Sequence, residues 1–194
     1  MNKFSDTSDL STLSLANHFL IAMPGLNDPN FSHSITYICE HNKDGAMGLV
    51  LNHPLPMKLS EVFEQMGCED KGISGDCELL AGGPVQLERG FVLHSTDKEW
   101  DNTAQISEEI LLTGSKDIIE AIADGEGPEK YLVFLGYAGW EAGQLEQEIA
   151  DNAWLTIPAD SRVIFETETS MRWKAAAECM GIDINLISQT AGHA

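Results

Sequence analysis

Basic residues are scarce in this 194-residue chain: Lys and Arg total 11 against 31 Asp and Glu, a formal net charge of −20. A surface of that sign repels phosphate backbones and anionic lipid. It argues against a direct nucleic-acid or membrane partner and leaves two readings, solubility and attraction to a basic partner. No apolar run is long enough to cross a bilayer, and no basic segment followed by an apolar one opens the chain. The four cysteines, Cys39, Cys68, Cys77 and Cys179, include no CxxC pair. The expectation is a cytoplasmic protein with reduced thiols that needs no disulfide, metal or cofactor. The phosphate-binding patterns GxGxxG and GxxxxGK[ST], the GxSxG nucleophile elbow and HExxH are all absent. No basic recognition helix follows a helix-turn pattern; the stretch 171–180 carries Arg172 and Lys174, but also Glu178.

What is present suffices for a core. Hydrophobic residues make up 43% of the chain and charged residues 22%, close to globular averages. One domain over residues 1–194 is expected, loose at 1–15 and 189–194. Its centre is Asp44 to Pro56, DGAMGLVLNHPLP. Asp44-Gly45 is a tight-turn dipeptide, and Ala46 to Leu51 reads as a buried central strand. Gly48 inside that run predicts a close approach of another backbone or a ligand. Asn52, His53 and Pro54 stop the strand and put polar groups at its end.

Other strands are expected at 18–23, 32–40, 77–81, 90–95, 130–137 and 154–157. In 32–40, Ile35, Tyr37 and Cys39 share one face, with Thr36, Ile38 and Glu40 on the other. Residues 41–45 close a hairpin, so 32–40 and 46–51 should pair antiparallel. Helices are expected at 59–66 with Ser60 as N-cap, at 115–124 with Ser115 as cap, at 144–150, and at 171–180 with Gly181 closing it. Segment 161–166 reads equally as strand or helical turn, 97–113 is mixed, and 138–143 reads as a glycine-rich turn. Helices and hairpin-paired strands without βαβ alternation give an α+β class with a mixed, largely antiparallel sheet.

Three stretches stand out for chemistry. Gly82-Gly83-Pro84-Val85 follows a strand, and reads either as an anion cradle of free N–H groups or as a tight bulged turn. Trp140 to Glu146 lies between a buried strand and a helix. Trp140 there either stacks on a ligand or anchors the core, with Gln144 and Glu146 as polar contacts. His41, His53 and His94 each flank a strand end, without the spacing of a zinc site. Cys39 and His41, two apart on a strand, would share a face, but a buried inert cysteine is the simpler reading. A shared cleft is expected where Asn52, Gly82, Gly83, Pro84, Trp140, Gln144 and Glu146 converge, each just past an apolar strand.

The ordered series Asn17-His-Phe-Leu-Ile-Ala-Met-Pro24, Cys39-Glu-His-Asn42, Gly45 to Asn52, Gly82-Gly-Pro-Val85, Gly90-Phe-Val-Leu-His94, Gly136-Tyr-Ala-Gly-Trp140, Gly143-Gln-Leu-Glu146, Asn152-Ala-Trp-Leu155 and Gly192-His-Ala194 resembles the YqgE/AlgH family of bacterial proteins over nearly the whole chain. His53 stands where members often carry arginine. The resemblance implies a branched sheet curled into a partial barrel and flanked by helices. It supplies no catalytic residues, and some members carry the label of transcriptional regulator. Three functions follow: a regulatory protein binding a partner or small ligand, an enzyme of unknown reaction using the shared cleft, and a DNA-binding regulator, which the residues do not support.

Overall fold

The structure, a computed structural model, describes residues 13–71 and 77–181. The sequence readings for 1–12, 72–76 and 182–194 lie outside those residues. Strands β1 (His18–Ala22), β2 (Ile35–Asn42), β3 (Gly45–Val50) and β4 (Pro54–Lys58) lead to helix α1 (Leu59–Met66). Strands β5 (Glu78–Ala81), β6 (Val85–His94), β7 (Thr103–Gln105) and β8 (Leu111–Thr113) precede α2 (Asp117–Ala123). The chain ends with β9 (Tyr131–Glu141), α3 (Gln144–Ala150), β10 (Trp154–Pro158), α4 (Ser161–Phe165) and α5 (Arg172–Cys179).

The sheet runs β10-β1-β2-β3-β9-β6-β8-β7, with β4 and β5 as a branch. Every pairing is antiparallel except β5 on β9. The branch arises because β9 is long. Its first half pairs β5 at Val133–Leu135 and its second half pairs β3 at Ala138–Glu141, on the same edge. Phe19 and Ile21 of β1 share a core cluster with Leu112 of β8, far along the strand order. The sheet therefore curls into a half-barrel around that cluster, and the fold is α+β. Helices α4 and α5 enter the concave side through Val163, Ile164, Ala176 and Ala177. On the convex side, α1 and α2 cover β5, β6 and β9, while α3 covers β1, β2 and β9.

The central strand forms as read, and the approach expected at Gly48 is backbone. A Cβ there would sit 2.9 Å from the Tyr37 carbonyl oxygen and from Thr36 Cγ2. Several local readings change. The expected turn at 138–143 is strand as far as Glu141, because β3 offers it a ladder from Gly45 to Gly48. The bend comes earlier, at Gly136 with φ +71°. The strand expected at 90–95 starts at Val85. Helix α1 begins at Leu59, and its cap is not Ser60: the Lys58 N–H donates to Glu61 Oε1 at 2.9 Å, tying the first turn from the acidic side. The segment at 161 is helical, with Asp160 accepting from the Arg162 N–H at 2.9 Å. The prolines at 54 and 56 do not exclude a strand, since among the described residues β4 pairs on one side only.

Candidate functional site

One departure from regular alternation decides what the hairpin presents. The β2–β3 register shifts between Ile38 and Glu40. A bulge adds one residue and turns the following side chains to the opposite face. Cys39 stays in the concave core, where burial pushes its thiol pKa up, and its Sγ lies 3.8 Å from the Tyr37 carbonyl. Glu40 and Asn42 then join the concave side, while His41 turns away. His41 Nδ1 accepts the Leu15 N–H at 2.9 Å, which leaves Nε2 to donate to Glu146 at 2.9 Å. The Cys39–His41 pair considered from the sequence does not form.

Beyond that bulge, the end of the concave face that the described residues of α4 and α5 leave open is a groove of about 740 Å³. Met47, Phe91, Leu112 and Tyr137 give it an apolar floor. Its charged groups are Glu40, Asp44, Glu141 and Arg89. The Arg89 guanidinium lies 5.0 Å from the centre of the Phe91 ring and donates to Gln86 at 3.3 Å. Among the described residues none of these four is in an ion pair. Gly139 is exposed on the groove side, and a Cβ there would make ordinary contacts, 3.4 Å from the Tyr137 ring.

The residues singled out from the sequence do not gather at one place. Ala46 pairs with Trp140 at the start of β3, and Asn52 lies past the strand's other end; the four steps from Ala46 to Val50 alone span about 13 Å at strand rise. Gly82 is near the Asn52 end: its carbonyl accepts the Val50 N–H and its N–H donates to Leu135 O, both at 2.8 Å. The two glycines let the chain cross close to β9. A Cβ at Gly82 would be 2.3 Å from Gly136 O, and one at Gly83, where φ is +152°, 2.3 Å from Ala138 N. Pro84 follows as an exposed link into β6.

Asn52 holds the entry to β2, with Oδ1 accepting the Ile35 N–H at 3.0 Å and Nδ2 donating to His33 O at 2.9 Å. Trp140 is buried in the convex cluster with Phe31 and Trp154. Glu148, which no sequence signal marked, accepts both indole N–H groups on Oε2, Trp140 at 2.9 Å and Trp154 at 2.8 Å. Gln144 accepts the Glu141 N–H and donates to Glu148, at 3.0 and 2.9 Å. Of the seven residues, only Trp140 also borders the groove, beside Gly139 and Glu141.

The histidines are likewise apart, and among the described residues no group of three or more His, Cys, Asp or Glu could hold a metal ion. His94 is buried. Its Nδ1 lies 2.8 Å from Ser95 O and its Nε2 2.8 Å from Thr113 Oγ1, and burial lowers its pKa. Burial also lowers that of His53.

A family model described as AlgH-like matches residues 19–185. This chain belongs to the AlgH-like family. It is 56% identical over 182 residues to a UPF0301 protein of Saccharophagus degradans, spanning 94% of this chain and 90% of that one. It is 48% identical to a relative from Pseudomonas fluorescens, spanning 93% and 96%. The solution structure of the AlgH protein from Pseudomonas aeruginosa covers both chains completely, with TM-score 0.78 and 46% identity. A Corynebacterium diphtheriae protein of known crystal structure, at 21% identity, TM-score 0.71, and 89% and 91% coverage, shares the fold. No helix among the described residues is long and apolar enough to cross a membrane.

Proposed function

We propose that this AlgH-like protein is a cytoplasmic regulatory binding protein whose ligand, a small molecule or a segment of a partner, sits in the groove at the open end of the half-barrel. The observation that carries this reading is the incomplete filling of the concave face. Phe91 and Leu112 belong to the same core that α4 and α5 close elsewhere, yet they also floor a groove of about 740 Å³. A rigid apolar floor with a few convergent polar groups is how binding sites are built. The alternative, an enzyme, is less well supported, since the buried nucleophile at Cys39 is held protonated and His94 is closed off. A regulator of this charge acts through another molecule, because a net charge of −20 opposes a duplex backbone.

Gly139→Leu tests the reading by filling the groove from an exposed strand position. A thermal-shift screen of metabolites and short peptides should find compounds that raise the melting temperature of the parent. The same compounds should leave Gly139→Leu unmoved at an unchanged basal melting temperature. Equal shifts in both proteins would move the site elsewhere. Submicromolar, steeply salt-sensitive binding to duplex DNA would overturn the indirect role.

A further inference from the structure

Among the described residues the groove has a free sheet edge as one wall: strand β7 is the last in the order and pairs only with β8. Gly114 N–H donates to Asn102 O, and Ile106 N–H to Ile110 O, at 3.4 and 3.0 Å. In an antiparallel ladder inward-facing and outward-facing backbone groups alternate. Residues 102, 104 and 106 therefore bond inward, and Thr103 and Gln105 turn their N–H and C=O groups outward. Thr103 and Thr113, opposite each other, fit the closer non-bonded pairing, with their hydroxyl oxygens 2.6 Å apart. The side chains run the other way: Asn102 and Ala104 line the groove. A strand laid along this edge would project every second side chain over the groove.

Resting on the reading of the groove as a binding site, we infer that its occupant is an extended, basic segment of a partner protein that adds to the sheet as a strand beside β7. Charge selects it. Among the described residues three carboxylates, Glu40, Asp44 and Glu141, line the groove against one guanidinium, Arg89, which lies over Phe91. A lysine or arginine of the segment meets the carboxylates, and an apolar side chain from the same face meets Phe91, Leu112 and Tyr137. Backbone bonds to Thr103 and Gln105 give affinity, and the alternating side chains give selectivity. A second copy of this chain brings its own charge of −20 and is repelled.

The test uses the full chain and a short fluorescein-labelled peptide in which lysine and valine alternate on one face, with threonine between them. Its comparators carry glutamate for lysine, the same residues in scrambled order, or N-methyl groups on the edge-facing amides. The alternating lysine peptide should bind at least about tenfold more tightly than each comparator. Binding should fall by about tenfold or more in the triple variant Glu40→Gln, Asp44→Asn, Glu141→Gln. It should fall similarly in Gln105→Pro, which removes an outward N–H without breaking a ladder bond. On binding, the amides of Thr103 and Gln105 should shift and gain protection from hydrogen exchange. Equal binding by the N-methylated peptide, or by the glutamate peptide, refutes the inference whether or not the variants fold well. If a bound peptide perturbs Met47, Phe91 and Tyr137 but not the β7 amides, strand addition fails and the groove reading stands. If peptide binds Gly139→Leu as well as the parent and perturbs no groove residue, both fail.

Discussion

Replacing Glu148 by alanine removes one carboxylate and strands two indoles. Trp140 and Trp154 are 6% and 4% exposed, and Glu148 Oε2 is the acceptor for both ring N–H groups. A hydrogen bond to a charged acceptor contributes about 1.5–3 kcal/mol, and a buried donor left without a partner costs a similar amount. Glu148 is half-buried, so water can reach part of the vacated space, and the two losses are not fully additive. A net destabilisation of about 3 kcal/mol follows. At about 2–4 °C per kcal/mol for a chain of this size, the melting temperature should fall by about 6–12 °C. Glu148→Gln keeps one oxygen for the indoles but turns an amide toward the Gln144 amide, and should lose about 1 kcal/mol. Urea unfolding followed by tryptophan emission measures both variants, with a red-shifted native spectrum expected for Glu148→Ala. If that variant melts within about 2 °C of the parent, the carboxylate is not what holds the indoles, and Trp140 is again available as a ligand contact.

Asn52→Ala leaves the Ile35 N–H and the His33 carbonyl without their partner, and should lower stability by about 1–2 kcal/mol in a chemical unfolding experiment, with no separate effect on ligand response. Gly83→Ala places a Cβ against Tyr137 and Ala138 backbone and should cost about 3 kcal/mol or more, read as a lower urea midpoint at unchanged slope. Burial holds His94 below its usual pKa of 6.5, so the unfolded chain takes up that proton first as pH falls. The His94 contribution is complete above about 6.5 and is lost as pH drops toward the lowered value. Stability measured against pH should therefore fall below that point, and less steeply in His94→Gln if that variant folds.

The sequence made most strands and helices legible because their apolar periodicity reports one-sided burial directly. Ala46 to Leu51 could be placed as central from its own composition. The errors fall where a partner elsewhere in the chain decides. Residues 138–141 carry glycines and read as turn, yet β3 gives them a ladder. Pro54 ends the central strand as read, but the strand β4 that begins at it has no local signal, and its pairing with β5 is what reveals it. Nothing local announces the bulge at Cys39, and without it Glu40 falls on the wrong face. Glu148 looks like any acid on a helix, since its role depends on two tryptophans meeting from different strands.

The same dependence keeps the residues of the expected cleft apart. Loops that follow two strands meet at one edge only when the strands run the same way, and β3 and β9 are antiparallel. Asn52 and Trp140 are thereby separated along β3, and each is used locally. The groove is instead defined by how far α4 and α5 reach. Helix α5, against which α4 packs, is fixed at the other end of the half-barrel, where the Arg172 guanidinium donates to Leu51 O and the Trp173 indole N–H to Ala22 O. What they leave uncovered is an apolar floor with carboxylates from three separate positions, 40, 44 and 141, around it. Among the described residues none of these three carboxylates is in an ion pair, so a cation of the inferred segment meets acceptors that no described Lys or Arg already holds.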